Sequence, residues 1–222
     1  MSSKKKFFEN FNLYAVTNIE GNSAEALSAI EKAYRGGAGV IQLRSQTLTD
    51  LEMLRLGLKA KQIARHYGKG LSVNNRVDLA LAIGADAVHI GHKDLPIEHI
   101  REILNAQNSS ILIGKSTHSL EQAIQAQDEG ADYIGVGPIF ATPTKPDYTP
   151  VSIELIHQVR KKIHIPFVAI GGIHEQNVGE VLEAGASCVA VVRAVFSSPD
   201  PYQAASRLSK LIAEKQGPYV KS

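Results

Sequence analysis

Gly37-Ala38-Gly39-Val40-Ile41, Gly84-Ala85-Asp86-Ala87-Val88, Gly130-Ala131-Asp132-Tyr133-Ile134 and Gly185-Ala186-Ser187-Cys188-Val189 are four variants of one phrase. Each closes a helical segment with glycine, which accepts the left-handed conformation after a helix, and then enters an apolar strand. The phrases start at 37, 84, 130 and 185. Each interval exceeds the ~30 residues of one strand-helix-strand unit, so each must hold a further strand. Those strands are Leu71-Ser72-Val73, Leu112-Ile113-Gly114 and Phe167-Val168-Ala169-Ile170, with Leu13-Tyr14-Ala15-Val16 as the first of the chain. They are short and Val/Ile-rich, as expected of a parallel sheet buried on both faces. Eight strands alternating with helices predict an α/β fold, a single (β/α)8 TIM barrel. An open doubly wound sheet is the competing topology, but no Gly-x-Gly-x-x-Gly fingerprint follows the first strand. Between strands, Thr49-Asp50-Leu51-Glu52 reads as a capping box, with Leu51, Leu54 and Leu58 on one helix face, and Ser119 with Gln122 opens another helix that Gly130 ends.

The rest of the composition sets limits. The chain has 222 residues and a net charge of +2, so no nucleic acid or acidic membrane is expected as partner. Its single cysteine, Cys188, excludes an intrachain disulfide and points to a reducing cytoplasm. No stretch approaches the ~20 apolar residues of a membrane span. The leading segment carries Lys4, Lys5 and Lys6 without the apolar run of a signal peptide. Residues 1–11 are expected to form a solvated arm, 12–216 the catalytic barrel and 217–222 a tail.

Function in such a barrel belongs at the C-terminal strand ends. Arg44 interrupts an apolar strand, and the cost of burying an unpaired guanidinium puts it at the mouth with an anionic partner. Gly171-Gly172 allows backbone N–H groups to approach a phosphate, or else marks only a turn. Arg193, ending the eighth strand, could grip phosphate oxygens in pairs or point outward. The polar stretch from Thr142 to Asp147 suits a lid that brings Lys145 to a phosphate. Asp94 could bind Mg²⁺ or cap the following helix. His118, at the end of the fifth strand, is a candidate acid or base near neutral pH.

Several motifs carry a family resemblance. They are Ile41-Gln42-Leu43-Arg44, Asn74-x-Arg76-Val77-Asp78-Leu79-Ala80, Ala85-Asp86-Ala87-Val88-His89-Ile90-Gly91, Asp94-Leu95-Pro96 and Ser116-Thr117-His118. Gly135-Val136-Gly137-Pro138-Ile139-Phe140-Ala141-Thr142-Pro143-Thr144-Lys145 and Val168-Ala169-Ile170-Gly171-Gly172-Ile173 complete the order. Across about Leu13 to Ile212 the chain resembles the thiamine-phosphate synthases and their relatives, the thiazole tautomerases. The resemblance implies coupling of hydroxymethylpyrimidine pyrophosphate to a thiazole phosphate through departure of pyrophosphate and capture of a pyrimidine carbocation. It implies contacts to the pyrimidine pyrophosphate from Gln42, Arg44, Gln46, Asn74, Ser116 and Lys145. Thr142, Thr144, Gly172, Val192 and Arg193 would hold the thiazole phosphate. Arg44, Ser116 and Lys145 would be the catalytic groups, with Mg²⁺ on Asp94 and on Asn75.

The chain departs from the family pattern at the pyrophosphate end. Ser45 and Gln46 stand where Glu and Lys are usual, Asn75 where Asp is usual, Lys93 for an acidic residue and Arg193 for a small serine. A tautomerase, using His118 as its acid or base, and a non-catalytic thiazole-phosphate binder are therefore alternatives. The expected partners are phosphorylated small molecules, with no nucleic acid and no membrane; a homo-oligomer is left open.

Overall fold

The computed structural model describes residues 7–9, 12–142 and 149–216. Eight parallel strands form a closed barrel in sequence order: β1 (Leu13–Val16), β2 (Val40–Leu43), β3 (Gly70–Asn74), β4 (Ala87–Ile90), β5 (Leu112–Thr117), β6 (Tyr133–Val136), β7 (Phe167–Ile170) and β8 (Val189–Val191). The ring closes where Leu13 pairs with Val189 and Tyr14 with Ala190. The intervening helices are α1 (Ser23–Arg35), α2 (Asp50–His66), α3 (Val77–Ile83), α4 (Ile97–Ala106), α5 (Leu120–Asp128), α6 (Glu154–Lys162), α7 (Val178–Glu183) and α8 (Arg193–Phe196), followed by α9 (Pro201–Gln216). Among the described residues, no helix is long and apolar enough to cross a membrane.

Two apolar layers explain why the strands do not alternate with polar residues. In β1, Leu13 and Ala15 belong to the layer between sheet and helices, whereas Tyr14 and Val16 face the barrel interior. In β8, Val189 and Val191 point out and Ala190 points in. Both parities are buried, so the period of two disappears from hydrophobicity.

The repeated phrase is a fastener at the base of the barrel. Its four glycines take φ values of 110°, 67°, 89° and 106°, the left-handed region in which a side chain is strained. Where the phrase carries aspartate, that carboxylate bonds to the preceding strand and to a basic residue of a helix. Asp86 accepts from the Leu71 amide at 2.8 Å and from Lys61 Nζ at 2.6 Å. Asp132 accepts from the Ile113 amide and from Arg101 Nη2, both at 2.9 Å. Each carboxylate thus satisfies the first free N–H of a strand and holds its counter-ion, which is how a charge survives partial burial.

Two expectations are corrected. The capping box at Thr49 and Glu52 forms, but Leu51 and Leu58 point outward, 55% and 44% exposed. The buried face is Met53, Leu56, Gly57, Ala60 and Ala64. The small residues win because α2 lies close to α3: a Cβ on Gly57 would sit 2.3 Å from Ile83 Cδ1. The leading segment is also not a purely solvated arm. Residues 7–9 form a helical turn, and Phe7 is 3% exposed. Its ring lies 5.9 Å from that of Tyr133 and packs in the interior cluster with Val40, Leu112 and Cys188. Gly70 leaves room for it, since a Cβ there would come within 2.9 Å of the ring. Val40 and Ala87 belong to the same cluster, and with Gly70 they leave at this end of the interior the space that the ring fills. Residues 1–6, 10, 11 and 217–222 lie outside the described residues.

Candidate active site

A cavity of about 520 Å³ opens at the C-terminal strand ends, as the fold leads one to expect. Its walls bring together residues far apart in sequence: Gln42 and Arg44 from β2 and the loop after it, Asn74 from β3, and Ser116 and His118 from the end of β5. Thr142, Gly172, Val192 and Arg193, from the loops after β6, β7 and β8, line the same cavity. Thr144 and Lys145 fall outside the described residues. Gln46 is exposed and is not among the residues that line the cavity.

Arg44 is half-buried at the mouth. Its backbone N–H donates to Thr17 Oγ1 at 2.8 Å, and its Nη1 donates to Asn18 Oδ1 at 2.7 Å. The anionic partner expected for it is replaced, among the described residues, by a neutral amide. The position at the mouth resolves the difference: the guanidinium keeps contact with water and does not need a counter-ion from the chain. Its charge is left to act on a ligand. Ser45 pins the loop beyond, donating to the Ile19 carbonyl at 2.7 Å and accepting from the Thr47 and Leu48 amides.

The far wall is built for close approach. Gly171 and Gly172 have φ values of 105° and 65°. A Cβ on Gly171 would lie 2.4 Å from Pro138 Cα, and one on Gly172 would lie 2.6 Å from the Ala141 carbonyl oxygen. These glycines therefore serve the seating of the 138–141 segment as well as a turn. Asn177 Nδ2 donates to the Gly172 carbonyl at 2.9 Å and fixes the turn from below. Arg193 begins α8, exposed on the rim yet part of the cavity wall, which reconciles the inward and outward positions considered for it.

The His118 backbone N–H donates to Gln122 Oε1 at 2.7 Å, and its Nδ1 contacts the Gly137 carbonyl. A carbonyl can only accept, so Nδ1 carries the proton and, in the neutral ring, Nε2 is the basic nitrogen. The His92 ring lies 5.1 Å away.

Asn75 and Asp94 lie beside the cavity rather than in its wall. Asp94 Oδ2 accepts from the Gly91 amide at 2.6 Å, and Oδ1 accepts from Asn75 Nδ2 at 3.0 Å. It does not cap a helix: α4 begins behind Pro96 with no side-chain cap. One carboxylate and one amide are too few for a protein-only cation cage, and no cluster of three His, Cys, Asp or Glu occurs among the described residues. They do fit Mg²⁺ that arrives with a substrate, because that ion is usually held by one or two carboxylates with phosphate oxygens and water. The neighbouring Arg76 is engaged elsewhere. Its two Nη atoms reach Asp50 at 2.5 and 3.0 Å, and Nε and Nη2 reach Asp78 at 2.9 and 2.6 Å. The guanidinium holds both carboxyls below their ordinary range, and the clamp ties α2 to α3.

Tyr14, Tyr133 and His89, to which the sequence reading gave no role, join Gln42 and Ser116 in one polar row. Gln42 Nε2 donates to the Tyr14 hydroxyl at 2.8 Å, and the Tyr14 and Tyr133 hydroxyls are 3.1 Å apart. His89 Nδ1 lies 3.3 Å from the Tyr133 hydroxyl, and its Nε2 lies 3.0 Å from Ser116 Oγ. Burial pushes the Tyr14 hydroxyl up to about 12 and the Tyr133 hydroxyl well above its ordinary value, so both phenols stay protonated. The signal in the sequence was parity: Tyr14 and Tyr133 occupy interior positions of β1 and β6, where a hydroxyl must find a partner.

The chain is similar to known proteins over most of its length. A sequence profile described as thiamine monophosphate synthase matches residues 13–195. A thiamine-phosphate synthase of Shouchella clausii is 41% identical over 206 residues, covering 92% of this chain and 97% of that protein. One from Chloroflexus aurantiacus is 41% identical over 211 residues, covering 93% and 95%. A solved structure of thiamine phosphate pyrophosphorylase from Pyrococcus furiosus superposes with a TM-score of 0.85 at 35% identity, covering 94% and 98%. By sequence and by fold, this chain belongs to the thiamine monophosphate synthase family.

Proposed function

We propose that the cavity couples hydroxymethylpyrimidine pyrophosphate to a thiazole phosphate, releasing pyrophosphate and forming thiamine phosphate. The observation that carries this reading is the presence of two cationic side chains on one cavity, Arg44 beyond β2 and Arg193 after β8. Each suits one phosphorylated substrate, and an apolar wall that includes Val168 and Ile170 lies in the same cavity.

In the reaction the bond between the pyrimidine methylene carbon and the pyrophosphate oxygen breaks, and the electron pair leaves with pyrophosphate. The resulting cation is captured by the lone pair of the thiazole nitrogen. What the protein must do is stabilise charge developing on the leaving group where water is scarce. Arg44, Asn74 and Ser116 line the end assigned to that group, with Lys145 to be brought by its loop. Thr142, Thr144, Gly172, Val192 and Arg193 are assigned to the thiazole phosphate, positioning the nucleophile. Mg²⁺, when bound, would neutralise pyrophosphate charge, held by Asp94 and by the Asn75 amide oxygen. A cytoplasmic location accords with the lone, buried Cys188.

The decisive experiment incubates the protein with both substrates and Mg²⁺ and follows thiamine phosphate and pyrophosphate together. Stoichiometric appearance of both is expected. Absence of coupling, with turnover of a thiazole carboxylate phosphate tautomer instead, would sink the proposal. Asn75→Asp is expected to tighten apparent Mg²⁺ affinity and raise turnover, because a second carboxylate restores ligand charge. Unchanged Mg²⁺ dependence would remove Asn75 from the metal site.

The tautomerase reading has one observation in its favour, the basic Nε2 that the Gly137 carbonyl fixes on His118. His118→Gln separates the two. Coupling should survive within about tenfold, the scale of one modest hydrogen bond, whereas loss of an acid-base group costs on the order of 10²–10⁴-fold. A loss in that larger range, measured on coupling, would contradict the role given to His118.

A further inference from the structure

β5 sends successive side chains to two different places. Leu112 belongs to the interior cluster and Ile113 to the layer between sheet and helices, so strand alternation puts Ser116 inside and Lys115 outside. Ser116 accordingly lines the cavity and Lys115 does not. Lys115 is half-buried, and its ammonium donates to a carbonyl rather than to a carboxylate: Nζ lies 3.0 Å from the Gly91 oxygen. Ile90 and Lys115 are paired across β4 and β5, so the side chain reaches the first residue beyond β4.

Gly91 is also the residue onto which Asp94 folds back. The chain turns between them, and the Asp94 N–H closes the turn on the Gly91 oxygen at 3.4 Å, a long bond. The Lys115 bond to the same oxygen is shorter and has a charged donor, which makes it the stronger of the two. In the other direction, the Gly91 N–H donates to Asp94 Oδ2 at 2.6 Å. Gly91 is thus gripped by the lysine through its oxygen and grips the carboxylate through its nitrogen. Asn75, in the left-handed region at φ 50°, supplies the remaining anchor, from Nδ2 to Asp94 Oδ1 at 3.0 Å. These two bonds fill two of the roughly four lone-pair sites of a carboxylate and leave the others for a cation.

We propose that Lys115 is a positioning residue that clamps the Gly91–Asp94 turn from outside the barrel and so holds the Asp94 carboxylate ready for Mg²⁺ arriving with pyrophosphate. The role rests on the assignment of Asp94 to that ion. Lys115 acts through Gly91 and touches neither the ion nor the substrate. Without its ammonium the turn is closed only by the 3.4 Å backbone bond, and the carboxylate moves with the turn. Partners that orient a metal ligand in this way are commonly worth about 10- to 100-fold in metal affinity.

Calorimetry with inorganic pyrophosphate, once with saturating Mg²⁺ and once in EDTA, tests this without turnover. The wild type is expected to bind pyrophosphate more tightly with Mg²⁺. In Lys115→Met, which keeps the apolar stem, that gain should shrink by about tenfold, with affinity in EDTA unchanged within twofold. Lys115→Arg, whose guanidinium can still donate to the Gly91 carbonyl, should recover most of it. Asp94→Asn should abolish the gain, and Asp94→Asn/Lys115→Met should bind no more weakly than Asp94→Asn, because both changes act at one carboxylate. Equal weakening of Lys115→Met with and without Mg²⁺ would mean that the lysine acts on the anion itself, and a wild-type gain in Lys115→Met would mean that the turn needs no clamp; either overturns the proposal. If Asp94→Asn keeps the full gain, the assignment of Asp94 to Mg²⁺ falls, and the positioning role falls with it.

Discussion

Gly172→Val is expected to lower kcat/KM for the thiazole phosphate by about 100-fold or more while leaving the barrel folded. The backbone at Gly172 has φ 65°, and a Cβ would meet the Ala141 oxygen at 2.6 Å and Phe140 Cβ at 2.7 Å. A β-branched residue must therefore shift the turn, the 140–142 segment or both. Strain of this kind costs about 1–3 kcal/mol. The larger effect is on geometry, because Thr142, Gly172 and the start of α8 share one wall, and misplacement by about 1 Å can cost on the order of 10²-fold. Steady-state kinetics with each substrate varied in turn checks this, beside circular dichroism for the fold. Near-wild-type kcat/KM would show that the wall does not hold the phosphate.

Phe7→Ala should be the most costly change for stability, about 3–5 kcal/mol, the usual range for removing a buried aromatic ring. For a chain of this size that is roughly 10 °C in Tm. The ring closes the base of the barrel against Tyr133 and Gly70, and its loss opens the interior cluster to water from below. Glu9→Ala, at an exposed position of the same turn, serves as control and should leave Tm within about 1 °C. A Phe7→Ala protein melting with the wild type would mean that the segment does not seal the barrel in solution.

The fold was legible because its signals are local. A glycine needed after a helix and an apolar strand behind it are both visible in one dimension, so β1 and β7 match the predicted Leu13–Val16 and Phe167–Ile170. Signals that depend on who lies opposite were not legible. The leucine row of α2 looked like a core face, but only the position of Ile83 shows that the Gly57 face packs inward. Phe7 follows a run of lysines, and nothing local says that the barrel above it needs a plug. At the site, Gln42, Arg44, Asn74, Ser116, His118, Thr142, Gly172, Val192 and Arg193 do meet on one cavity, since the fold fixes where strands end. Gln46 does not line it; it follows Ser45, which is fastened to the Ile19 carbonyl. The contacts of His89 were hidden because its partners come from β5 and β6, and hydrogen-bond partners across a barrel have no sequence spacing.

Closure of the ring through β1 and β8 has a consequence for synthesis. Leu13 leaves the ribosome long before its partner Val189. Until then a nascent chain carries two open sheet edges, which are templates for pairing with other chains. Such long-range pairings also form slowly. A ribosome stalled before Val189 therefore releases a seven-stranded sheet with sticky margins rather than a smaller barrel, a natural client for a chaperone.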